Sequence, residues 1–249
     1  TKKLQKEIKG LPRQVLKWDV SVGLTKSINE MAIALPLVQD LRDDAMRERH
    51  WLKLMATCGK SFVMDSKLPL DSLLQLELHN FQDGVSEVVE MARAEIKIES
   101  QLSKIQATWA GLSLEFSDFK STGVKILMQP SDTYEALDDN EVVLQNMMGN
   151  RFMGFFEAQI TDWKGKLGTV RAVLEVLLDV QRSWCSLESI FLGSEDIREQ
   201  LPDDAKRFDG IDAEFREQMG DAAQFTSPIE ICTASGREEV FNKCQANLE

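Results

Sequence analysis

This 249-residue sequence predicts a mainly α-helical protein, an elongated multi-helix bundle or rod with one short β-hairpin near residues 111–127. Three observations carry that reading. Between Phe152 and Phe191, apolar residues return in alternating steps of three and four: Phe156, Ile160, Trp163, Leu167, Val170, Leu174 and Leu177. Polar interruptions at Gln181 and Glu188 flank Trp184, and the stripe ends on Phe191. A second helical stripe, Phe81 to Trp109, carries Met91, Ile98, Leu102 and Ile105 on a common face. Between the two, the period drops. Leu112, Leu114 and Phe116 alternate, and Ser121-Thr122-Gly123 before Val124 and Ile126 supplies a Gly-containing hairpin turn. A sustained period of 3.5 marks a helix that buries one seam. About forty helical residues at 1.5 Å each span roughly 60 Å, a length suited to a rod, lever or scaffold. Gly165 and Gly168 each cost about 1 kcal/mol relative to Ala, which makes that stretch the candidate kink or break.

The remaining elements follow from punctuation. Leu24 to Leu35 reads as a helix stopped by Pro36. A turn at Asp40-Leu41-Arg42-Asp43 leads to a second helix, from an Asp44 N-cap to Gly59, a residue free to take positive φ. After Pro69, Asp71 caps a short helix through Leu78. Beyond Pro130, Asp138-Asp139 caps a helix through Met148, and Gly149-Asn150 leads into the long stripe. Ser194 caps a short helix with Glu195 and Asp196 in its first turn, and Pro202 closes it. Asp203-Asp204 caps the next, which carries Phe208, Ile211, Phe215 and Met219 and ends at Gly220. Residues 220–235 read as a loop containing Pro228, and Phe241, Cys244 and Leu248 as a helix in which the sequence stops. Four segments result: a helical part at 1–110, a hairpin and candidate hinge at 111–130, a helical part with the long helix at 131–219, and a loop with a truncated helix at 220–249. Both ends read as cut from something longer.

Composition narrows the function. Hydrophobic content of 43% and five Trp argue a folded chain. Net charge is −12, and residues 193–249 hold 14 acidic and 6 basic side chains, so −8 of it lies there. Such a surface repels nucleic acid and anionic membranes, whose phosphates require clustered cations. It is either a solvated acidic face or a site for a basic partner. No stretch approaches eighteen apolar residues, so no membrane span is predicted. Cys58, Cys185, Cys232 and Cys244 form no CxxC pair and, without a signal peptide, read as reduced cytosolic thiols.

Catalytic patterns are sought and not found. Gly59-Lys60-Ser61 resembles the tail of a P-loop, but position 54, where that motif needs Gly, is Leu54. Asp209-Gly210 lacks the preceding carboxylates of a calcium loop, with Arg207 and Ala205 in their places. His50 and His79 have no partner at metal-ligand spacing and read as ordinary helix residues. The pairs Asp203/Asp204 and Asp138/Asp139 read as caps. No catalytic, cofactor-binding or metal-binding residue is predicted. Trp163 and Trp184, three heptads apart on one seam, read as core, with a docking surface as the alternative.

Specific strings go further than pattern. Leu35-Pro36-Leu37-Val38-Gln39-Asp40-Leu41-Arg42, followed by Met46-Arg47-Glu48-Arg49-His50-Trp51, resembles the LPLxxDLR…xRxRHW stretch of dynein heavy chains. Leu137-Asp138-Asp139 resembles the LDD of that family. So does Trp184-Cys185-Ser186-Leu187-Glu188-Ser189-Ile190-Phe191, with Asp196-Ile197-Arg198-Glu199-Gln200-Leu201-Pro202 and Lys206-Arg207-Phe208 after it. The matches run from about residue 35 to 219 and fade afterwards. The resemblance implies the linker, a helical arm between the cargo-binding tail and a ring of ATPase modules that bends and straightens with nucleotide state. The wording from Ser194 to Asp212 is similar to axonemal outer-arm chains, which implies a cilium or flagellum. The family's ATP and Mg sites would lie C-terminal of Glu249, so the resemblance implies no catalysis and no cofactor in this segment. Its implied partners are the AAA+ ring, the remaining linker, and the tail with its associated chains. Microtubules are met only indirectly. Two other classes compete: a helical scaffold or coiled coil unrelated to motors, which predicts an internal repeat that is not visible, and a helical enzyme with an unrecognised site.

Overall fold

In the computed structural model, residues 2–61 and 76–248 are described. They form ten α-helices, three 3₁₀ turns and one two-stranded antiparallel hairpin, a mainly α architecture as the periodicities require. The chain divides into two compact units, Thr1–Ile98 and Glu99–Glu249.

The N-terminal unit contains α1 (Lys2–Lys9), α2 (Asp19–Asp40), α3 (Glu48–Cys58) and the start of α4 (Gln82–Gly111). Its core gathers Leu37, Val38, Leu41, Leu54, Cys58, Leu78, Val85, Val88 and Val89. Helix α2 corrects the expected Leu24–Leu35 helix: it runs through Pro36. Proline removes one N–H from the ladder. Here the residue sits on the exposed side, while Ala34, Leu37 and Val38 around it are buried. Their burial outweighs one missing rung.

Helix α3 starts at Glu48, later than the Asp44 cap expected. Asp43 turns its carboxylate to the Ala45 N–H at 3.0 Å, so 43–46 is a turn. The Arg47 N–H instead donates to His50 Nδ1 at 2.9 Å. Gly59 ends α3 at φ 63°, as predicted for a left-handed stop. The Asp71-capped helix lies outside the described residues over 71–75, and Leu78–Asn80 is a 3₁₀ turn. Two ion-pair sets tie α3 and the preceding turn to α4. Arg93 reaches Asp40 (3.1 Å) and Asp43 (2.6 Å), and Arg49 reaches Glu95 (2.5 Å).

The C-terminal unit is built around α6 (Glu157–Phe191), a single 35-residue helix preceded by a 3₁₀ turn at Met153–Phe156. It is continuous through Gly165 and Gly168, so the expected kink does not take the form of a break. Around it pack α5 (Ser131–Met148), α8 (Pro202–Ala222), α9 (Pro228–Cys232) and α10 (Arg237–Leu248), with α7 (Glu195–Gln200) joining α6 to α8. The seam is nearly as the heptads give it: Leu167, Val170, Leu174, Leu177 and Trp184 are fully buried, together with Val173 and Val180. Trp163 departs from it. That indole is only partly buried, with Lys166 Nζ 5.5 Å from its ring centroid.

Three boundary expectations are corrected here. Asp138-Asp139 lies inside α5, which starts at Ser131, and Asp138 accepts from Arg171 of α6 at 2.6 Å. Pro202 opens α8 at its first position, where a missing N–H costs nothing, and does not close α7 from outside. The supposed loop at 220–235 contains the last residues of α8 and all of α9. Ser227 caps α9, accepting the Glu230 N–H at 3.5 Å.

Candidate functional site

The feature that organises the C-terminal unit is the dock between the hairpin and α6 and α8. Strands β1 (Phe116–Asp118) and β2 (Lys125–Leu127) pair antiparallel, with Phe116 opposite Leu127, Ser117 opposite Ile126 and Asp118 opposite Lys125. The turn between them closes through Phe119 N–H to the Val124 carbonyl at 2.8 Å. It needs two left-handed residues, Lys120 (φ 50°) and Gly123 (φ 72°). Glycine takes that conformation freely, whereas Lys120 pays for it in steric strain and must be held there by other contacts.

Those contacts explain the two polar residues that interrupt the α6 seam. Gln181 presents its amide to the end of β2: the Leu127 N–H donates to Oε1 at 2.7 Å, and Nε2 donates to the Leu127 carbonyl at 2.9 Å. The side chain thereby acts as a third strand one residue long. Two turns further on, Glu188 is 9% exposed and accepts from Lys120 Nζ at 2.8 Å. The same Nζ lies 4.6 Å from the Phe119 ring centroid. Heptad spacing puts Gln181 and Glu188 on one face, so the pair grips the strand end and the turn of the same hairpin.

Between the two grips sits an aromatic stack. Phe119 meets Trp184 edge to face at 5.3 Å, and Trp184 stacks on Phe215 of α8 at 4.8 Å. The buried indole N–H donates to Asp212 Oδ1 at 2.9 Å, as a buried Trp requires. Asp212 also accepts from Arg216 Nε on both oxygens, at 2.9 and 2.8 Å. Arg216 Nη1 in turn donates to the Thr122 carbonyl at 3.4 Å. One more bond, Leu114 N–H to the Thr226 carbonyl at 2.9 Å, ties the approach to β1 to the segment between α8 and α9.

The residues weighed for chemistry sit elsewhere and serve the scaffold. Gly59 is the left-handed stop of α3, and Lys60 pairs with Glu77 at 2.8 Å. Asp209 receives both Nη atoms of Arg198, which holds its carboxyl below the usual range. His79 lies 3.8 Å from Glu30. His50 is fully buried, with Nδ1 accepting from Arg47, which leaves the proton on Nε2 to face Glu95 at 3.0 Å. Burial holds its pKa down, against the opposing pull of Glu95. The four cysteines are free thiols. Burial pushes Cys232 up to about 12 and Cys244 to about 11, the latter helped by its bond to Glu214. Among the described residues, no cluster of His, Cys, Asp and Glu could hold a metal ion, and no helix is long and apolar enough to cross a membrane.

What this site defines is a hairpin clamped onto a helical bundle by a buried seam, an aromatic stack and side-chain hydrogen bonds. The family model for the dynein heavy chain, N-terminal region 2, matches residues 1–249. The chain belongs to that family. It is 47% identical to the flagellar outer-arm dynein beta chain of Chlamydomonas reinhardtii over all of its own length and 6% of the relative's. It is 39% identical to human dynein axonemal heavy chain 9, over 99% of this chain and 6% of that one. The flagellar outer-arm dynein alpha chain of Chlamydomonas reinhardtii is 37% identical over 94% of this chain and 5% of the relative. The chain thus spans about one-seventeenth of the relatives' length, and the similarity extends through residues 220–249, where the quoted strings had faded.

Proposed function

We propose that this segment is part of the linker of an axonemal dynein heavy chain, an arm that carries conformational change from the ATPase ring to movement along microtubules. The observation that carries this reading is α6: 35 residues, about 50 Å at 1.5 Å per residue, with an apolar seam buried from Leu167 to Trp184. A long helix packed along such a seam resists bending, which a transmitting arm requires. The segment does no chemistry itself, and ATP and Mg bind elsewhere in the parent chain. Its partners are the ring, the rest of the linker and the tail, within a cilium or flagellum, as the relatives' names suggest.

Of the two roles open to the hairpin, hinge or rigid attachment, the Gln181 and Glu188 grips favour the second: residues 114–128 travel with α6 and α8. A fluorophore at Leu192, an exposed position, and an acceptor on the ATPase portion of a full-length heavy chain test the reading. Transfer efficiency should change between ATP-bound and nucleotide-free states. Constant efficiency across those states contradicts an arm that moves.

A further inference from the structure

Exposed apolar side chains are not spread evenly. Trp18, Val20, Val22, Leu24, Met31 and Ile33 crowd the start and middle of α2, from 38% exposed at Met31 to 81% at Val20. At 100° per residue they divide between two faces of α2, Trp18, Val22 and Ile33 on one and Val20, Leu24 and Met31 on the other, and apolar surface of the first kind, beside a groove, marks a contact site. Val22 and Ile33 line a concave groove of about 530 Å³ with Leu16, Thr25, Asn29 and the Lys26–Glu30 pair. The approach to it is basic: residues 2–18 hold Lys2, Lys3, Lys6, Lys9, Arg13 and Lys17 against Glu7 alone. All six cations are exposed.

We propose that this groove seats an acidic amphipathic helix supplied by the same heavy chain outside residues 1–249. An apolar trough takes the apolar stripe of a helix, and flanking lysines match acidic flanks and disfavour basic ones. A helix, about 10 Å across, offers one apolar stripe to such a trough. The source follows from length, because the matched stretch is 6% of the flagellar beta chain and the remainder is tethered to it. A tethered helix meets the groove at an effective concentration that a separate partner would have to match by affinity. The surface is independent of whether the arm acts as a lever.

The test uses a full-length heavy chain in which Val22 and, separately, Ile33 are replaced by a photo-crosslinking aromatic amino acid. Both positions are exposed, so folding is retained. Irradiation should give an intrachain crosslink to a segment beyond these 249 residues that is net negative and apolar at three- and four-residue spacing. Charge reversal by Arg13→Glu with Lys17→Glu should lower its yield at least fivefold, and moving from 50 to 500 mM salt should lower it as well. Crosslinks to another polypeptide, to added anionic vesicles, or to a segment without net negative charge overturn the proposal. So does the absence of any crosslink.

Discussion

Glu188 shows how a residue can look like a defect in sequence and be a requirement in structure. It breaks an apolar seam, yet its carboxylate anchors Lys120 in a left-handed turn that Lys would otherwise avoid. Lys120→Met leaves that carboxylate nearly buried and unpaired, and should cost about 1–3 kcal/mol in a denaturant titration. Gln181→Ala, which leaves the Leu127 N–H and carbonyl without their partner, should cost a similar amount. Full stability in either variant would mean that the hairpin is not held by α6. His50 provides a pH signature. Its folded pKa lies below the unfolded value, so the unfolded chain takes up the proton first as pH falls. The stability it supports is complete above about pH 6.5 and declines as pH drops below that value. His50→Gln should flatten the stability slope below about pH 6.5; an unchanged slope would assign it to other groups. Neither role was legible from the residues alone. The sequence gives the heptad positions of Gln181 and Glu188 and the solitude of His50, and the contacts that use them lie 45 to 68 residues away.

At the scale of elements, period was the reliable signal and punctuation the unreliable one. The long α6 and α4 helices and the hairpin follow from spacing, because a buried face must repeat at the period of its element. Pro36, Pro202 and Asp138-Asp139 each admit two readings, and only packing chooses between them. Helix α9, at five residues, is too short to show a period, although Ser227-Pro228-Ile229-Glu230 carries the cap, N1 proline and acidic third position that announce a helix start. Gly165 and Gly168 sharpen the point. No atom lies within 4 Å of where a Cβ would stand on either, and neither has a positive φ. Gly165→Ala and Gly168→Ala should therefore each raise stability by about 1 kcal/mol. Hydrogen exchange should protect amides on both sides of them as one cooperative unit. Isolated fast exchange across 162–170 would show a break. The two seam tryptophans part company here as well. Trp184→Ala should cost about 3–5 kcal/mol as a core truncation, while Trp163→Ala, at a partly buried position, should cost less.

At the scale of the whole molecule, the quoted strings identified the family where composition and period stopped at a helical protein. They did so because they record particular side-chain contacts. His50 of the RxRHW string caps α3, Leu137 of LDD is fully buried in α5, and Trp184 centres the hairpin dock. In the arm proposed above, this dock would supply the stiffness that force transmission needs and take no part in ATP chemistry. Trp184→Ala in a full-length motor tests it most directly, with microtubule gliding velocity and basal ATP turnover measured on the same preparation. Turnover should survive while velocity falls, since hydrolysis would be uncoupled from displacement. Unchanged velocity in a variant whose hairpin has demonstrably loosened would contradict the claim.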